Sequence, residues 1–139
     1  AVFEAVEEDL LERIAGAIQA SGAAAPLAAL QVGIDVMLDA ARDPGLAQIV
    51  LIDAPAVLGW QRWREIGWRY GMGLTEGVLA AAIEAGELPA QPTRPLAHVL
   101  LGALDEAVLY VARAEDPESA QAEMRPVLAG LLRALRAHA

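Results

Sequence analysis

The chain is 139 residues long, with 56% apolar residues, no cysteine, and 10 basic side chains against 19 acids for a formal charge of −9. The apolar share excludes intrinsic disorder, and the missing thiols exclude disulfides, thiolate metal sites and cysteine nucleophiles. The acidity argues against nucleic-acid binding by these residues, because affinity for a phosphate backbone comes from clustered Lys and Arg.

The 31 Ala and 20 Leu, with two Thr and neither Asn nor Lys, predict an all-α fold. Phe3, Val6, Leu10, Ile14, Ala17 and Ile18 recur at helical spacing and place a first helix over residues 2–20. Five acids in its first twelve residues suit the positive end of its dipole, and Ser21-Gly22 is a stop. Pro26 suits a first helical position. Leu27, Leu30, Ile34, Met37, Leu38 and Ala41 then form the stripe of a second helix, with Gln31, Asp35, Asp39 and Arg42 on another face. Asp43-Pro44 reads as an N-cap followed by proline and opens a short third helix ending near Ile52. Asp53-Ala54-Pro55 breaks the pattern, and Gly59 is a further breaker. A long fourth helix runs from Trp60 to Ala85, closed by Gly86 and Pro89. Thr93 is placed as the cap of a fifth, Pro95 to Ala114, interrupted only by His98, Asp105, Glu106 and Arg113. That profile predicts burial on more than one side. Asp116-Pro117 opens a last helix to about Arg136, in which Pro126 predicts a kink or a restart.

The expected architecture is therefore six helices with short connections and no strands, as one domain over residues 1–139. No apolar run is expected to span a bilayer, since Asp35, Asp39, Asp53, Arg62 and Asp105 interrupt them. No basic segment precedes an apolar one at the start, so no signal peptide is read.

Chemistry-bearing residues are few. The two histidines, His98 and His138, lack a Glu three positions before them and form no HExxH, so no metal or cofactor is expected. Ser21 and Ser119 fall at helix ends and read as caps rather than nucleophiles. Gly67, Gly71, Gly73 and Gly77 lie inside a helical pattern, where each glycine costs about 1 kcal/mol against Ala. They imply close helix approach or space for a guest. All three Trp share that segment. Trp60, Trp63, Gly67, Gly71 and Leu74 fall on one face, either as core or as a pocket wall opposite Leu30, Ile34 and Met37. Asp105-Glu106 reads as an Arg-paired or exposed acidic pair, as a polar anchor in a pocket, or as a contact across a subunit interface. A carboxylate beside Trp would suit a cationic guest. Leu96, Leu100, Leu104, Ala107 and Val111 form one stripe, and Met124, Leu128, Leu131 and Leu135 a second. The expectation is that both are buried against a second subunit, the alternative being ordinary packing within the chain.

Several segments stop being generic when taken together: Ile49 to Trp60, Trp63-Arg-Glu-Ile, Tyr70-Gly-Met-Gly-Leu74, Ala85-Gly-Glu-Leu88, Pro95 to Ala107 and Ala114-Glu-Asp-Pro117. Over Phe3 to about Leu135 the chain resembles the C-terminal domain of TetR/AcrR-type transcriptional repressors. The resemblance implies a homodimer whose last two helices from each subunit form a four-helix bundle. It also implies a small-molecule effector in a cavity beside the Trp-bearing helix, and DNA released when the effector binds. DNA binding belongs to an N-terminal helix-turn-helix unit that is not among these residues. Wall positions expected for the cavity are Leu30, Ile34 and Met37 on the second helix, Trp60, Trp63, Tyr70 and Leu74 on the fourth, and Leu101, Asp105 and Val108 on the fifth. No catalysis, cofactor or membrane partner is implied, and the location is cytoplasmic. The rival readings are a small helical ligand carrier or enzyme, marked by a titrating polar cluster in the pocket, and a structural or adaptor dimer, marked by a cavity-free core around Trp60 to Tyr70.

Overall fold

In the computed structural model, residues 2–136 are described; His138 lies outside them. Six helices follow one another with short connections: α1 (Val2–Ser21), α2 (Pro26–Ala41), α3 (Pro44–Leu58), α4 (Trp60–Glu84), α5 (Thr93–Arg113) and α6 (Pro117–Leu135). No strand occurs among the described residues.

The ends follow local chemistry. Ser21 Oγ donates to the Ile18 carbonyl at 2.7 Å and accepts from the Ala23 amide at 3.1 Å, closing α1 ahead of Gly22, whose φ of +68° a side chain would resist. Asp43 accepts from the Gly45 and Leu46 amides at the head of α3. Asp116 does the same for α6: Ser119 donates to it through both its amide (3.3 Å) and its hydroxyl (2.7 Å). Those bonds hold the Asp116 carboxyl below its usual range.

Four expectations about the elements need correction. The third helix does not end at Ile52. It passes through a π-helical stretch, Gln48–Asp53, and continues to Leu58, where Gly59 with φ +83° ends it. The wider turn is how the chain carries Pro55, which has no N–H to donate and would clash in a regular α-turn. Thr93 is not a cap. It is the first residue of α5, and Pro92 before it is extended and supplies no side-chain bond. Thr93–Arg113 is also long and apolar enough to cross a membrane by length and composition, a test that the core helix of a globular protein passes equally. Pro126 causes no restart: α6 runs through it, and both Pro126 and Ala122, whose carbonyl loses its donor, are exposed.

Packing centres on α2, which contacts α1, α4, α5 and α6. Leu38 on α2 and Val111 on α5 are fully buried in the larger core, which also takes Phe3, Trp63, Ile66, Leu128 and Leu132. A smaller core joins Leu27, Met72, Leu79, Ala82, Leu88 and Ala97. A polar seam fastens α2 to α6: buried Gln121 donates to Asp39, and Arg125 reaches Asp39 (3.3 Å) and Asp35 (3.4 Å).

The stripes expected to meet a second subunit are largely used inside the protomer. Ala107, Val111 and Leu128 are buried in the larger core, and Leu100, Leu104, Met124 and Leu135 pack partly buried against it. Leu96 packs against the smaller core. Only Leu131, 50% exposed, faces outward. The reason is geometric: α5 and α6 close on each other and on α2, so their strongest stripes meet there. A weaker apolar face is left outside, formed by Val99 (67% exposed) and Tyr110 on α5 and by Val127 and Leu131 on α6.

Candidate ligand cavity

A cavity of about 130 Å³ lies between α1, α2, α4 and α5, with Val50 and Leu51 of α3 on its wall. Its volume is close to the ~150 Å³ of an apolar cavity that holds a benzene ring. The helices bring Leu30, Ile34, Met37, Trp63, Tyr70, Leu74, Leu101, Asp105 and Val108 together around it.

Trp60 is not among them. It is the first residue of α4, half exposed at 47%, and rests on Trp63 with ring centroids 4.8 Å apart. Trp63 itself is both core and wall. Its indole Nε1 donates to the Val50 carbonyl at 2.6 Å in a buried site. That carbonyl lacks a helical donor because Ala54 N–H goes to Ile49 and Pro55 has none. The π-helical stretch and Trp63 therefore fix each other.

The glycines divide by role. A side chain at Gly67, which lies on the cavity wall, would meet nothing within 4 Å, so Gly67 leaves open space in the cavity. Gly71 sits in ordinary contact, 3.5 Å, with Leu101 of α5. Gly73 and Gly77 are exposed with no neighbour, so close helix approach does not explain them.

The polar residues of the cavity are Glu7, Arg64, Trp68, Tyr70, Thr75 and Asp105. Asp105 Oδ2 accepts from Trp68 Nε1 at 3.1 Å and lies 4.0 Å from Arg64 Nε. The Arg64 guanidinium sits over the Trp68 ring at 4.2 Å, and its buried Nε has no hydrogen-bond partner. Burial pushes the Asp105 carboxyl up to about 6, although the Trp68 N–H and Arg64 pull it down. Glu7 is pushed up to about 7 by burial and by repulsion from Asp105. Glu106 is exposed, and His98 is exposed while meeting the Trp68 ring edge-on at 4.7 Å. Tyr70 donates to Glu8 at 3.2 Å, which ties α4 to α1.

Glu7, Leu10, Leu11, Ile14 and Ile18 of α1 and Arg64 and Trp68 of α4 escaped the sequence reading. A signal existed for Glu7: it falls on the Phe3, Leu10, Ile14 stripe, four residues from Phe3 and three from Leu10. The acids of α1 form a set that complements its dipole, and among them Glu7 is the one that points inward.

Residues 27–135 match the family described as Tetracyclin repressor-like, C-terminal domain. The chain belongs to this family. Its all-α fold of six helices is the one that membership implies. Comparison with curated proteins gives no match. The family match begins at the second residue of α2, so α1 and Glu7 stand outside it.

Proposed function

We propose that this tetracycline repressor-like C-terminal domain is the effector-sensing and dimerisation half of a transcriptional repressor acting in the cytoplasm. A small apolar or aromatic molecule occupies the cavity. Two copies associate through the outer faces of α5 and α6. An N-terminal helix-turn-helix unit of the longer protein carries DNA binding. The mechanism is a population shift: an effector that prefers one arrangement of α1, α4 and α5 biases the dimer toward it, and linkage lowers DNA affinity.

The observation that carries this reading is the apolar cavity itself, walled by residues of five helices in the segment where an adaptor would have a dense core. Its position supports a coupling role, because α5 contributes Asp105 and Val108 to the cavity while presenting Val99 and Tyr110 outward. Ala103 of α5 and Leu131 of α6 line one small shared hollow, which brings the two helices together beside Leu131.

Native mass spectrometry of the purified protein tests the reading. The expected result is a dimer, with added small-molecule mass where effector co-purifies. A monomer that takes up no apolar probe would defeat it.

A second reading, a small carrier or enzyme, is favoured by one observation: Glu7 and Asp105 titrate near neutrality inside the cavity. Chemical turnover of a bound compound by a monomeric protein would select it.

A further inference from the structure

The charges on the cavity wall narrow the class of effector, an inference that rests on the ligand-sensing reading above. The charged side chains there are Glu7, Arg64 and Asp105. Arg64 is partly engaged within the protein: its guanidinium covers the Trp68 ring at 4.2 Å and lies 4.0 Å from Asp105, while its Nε keeps no hydrogen-bond partner. Asp105 has that cation and the Trp68 N–H at 3.1 Å. Burial and repulsion from Asp105 act on Glu7, with no cation or hydrogen-bond donor offsetting them among the described residues. From α2 and α3 the cavity receives only apolar side chains and Gly33. An unpaired carboxylate beside an apolar space is an unfavourable arrangement that a cation in that space relieves.

We infer that the effector is a cationic amphiphile, an amine or amidine on a small apolar or aromatic body, with its charged head between Glu7 and Asp105 and its body against Trp63 and Leu30. The cavity volume of about 130 Å³ matches a single-ring body. Because the Glu7 carboxyl titrates at about 7, an entering cation displaces a proton, and binding tightens as the pH rises from 6 to 8. Arg64 and Asp105 are the other charged groups facing the space, and Tyr70, which donates to Glu8, is the remaining titratable group on its wall.

Isothermal titration with three single-ring probes separates the possibilities: benzylammonium, benzyl alcohol and benzoate. Benzyl alcohol is the neutral control and still offers an acceptor to Arg64 Nε. At pH 8 benzylammonium is expected to bind about tenfold tighter than benzyl alcohol, with benzoate weakest, and at pH 6.5, where Glu7 is still largely protonated, binding of the ammonium is expected to release protons. Glu7→Gln is expected to bring benzylammonium down to the level of benzyl alcohol while leaving benzyl alcohol unchanged, which shows that the variant is folded. Equal binding of the ammonium and the alcohol, or a preference for benzoate anchored on Arg64, overturns the cationic effector and leaves the ligand cavity standing. Uptake of none of the three overturns both.

Discussion

Glu7 makes the protein's stability depend on pH with a definite sign. Its folded-state carboxyl titrates at about 7 against an ordinary value of 4.5, so between these limits the folded chain holds more protons than the unfolded one. Stability therefore falls as pH rises through that window, and Asp105, raised to about 6, adds to the trend. Asp116, held below its usual 3.8, works in the opposite direction only at lower pH. Thermal unfolding is expected to show a higher Tm at pH 5.5 than at pH 8. Glu7→Gln should flatten that profile and exceed the parent at pH 8 by on the order of 2 kcal/mol. A Tm that climbs steadily from pH 5.5 to 8 would contradict this. Two further residues separate space from support. Gly67→Ala adds a methyl to open cavity in a helix interior, so it should raise stability by about 1 kcal/mol while weakening probe uptake. Trp63→Phe leaves the Val50 carbonyl buried without a donor and should cost about 1–3 kcal/mol in urea unfolding. At this scale much of the cavity was legible. Helical periodicity places Leu30, Ile34 and Met37 on one side and Trp63, Tyr70 and Leu74 on the other. Trp60 and Trp63 lie within one turn of each other and differ in role because one begins the helix and the other is covered by α3.

Among the elements, α2 shows how a helix end is completed from far away in sequence. Ala25 provides no side-chain cap, and Glu87, in the connection after α4, accepts from the Leu27 amide at 3.1 Å. The same carboxylate binds Arg136 at 3.0 Å, just past the end of α6. Glu87 thus pins the α2 N-terminus and the end of α6 to one loop, with its charge at the favourable end of the α2 dipole. Glu87→Ala is expected to lower stability by about 1–2 kcal/mol, and Glu87→Gln by less, since it keeps an acceptor for Leu27. Equal losses for the two variants would show that the charge rather than the acceptor matters. Nothing local announces this contact. The starts at Pro26, Pro44 and Pro117 were legible because proline and its caps act within one turn. The passage of α3 through Pro55 was not, because the Val50 carbonyl is taken by Trp63, a partner that lies outside the segment.

For the molecule as a whole, two apolar surfaces on α5 and α6 must be told apart. Leu128 lies in the protomer core, so Leu128→Ala should cost about 2–4 kcal/mol of folding stability. Leu131 and Tyr110 are exposed, so Leu131→Glu or Tyr110→Glu should leave folding intact by circular dichroism and weaken the dimer at least about tenfold in analytical ultracentrifugation. With a formal charge of −9 on each chain, dimerisation should also tighten as salt is raised. A dimer untouched by both charge substitutions would place the interface elsewhere.

The sequence by itself determined the all-α class, the six helices and most of their ends, because propensity, capping and 3.6-residue periodicity are decided within a few neighbouring residues. It also brought the Trp-rich helix and α2 to one site, since each carries a continuous stripe. Only the tertiary structure decided which stripe of α5 and α6 remains outside, that Glu7 of α1 faces Asp105 of α5, and that Glu87 completes α2. These depend on the rotation and register of one helix against another. The side chains of several elements set that register together, and no single segment encodes it.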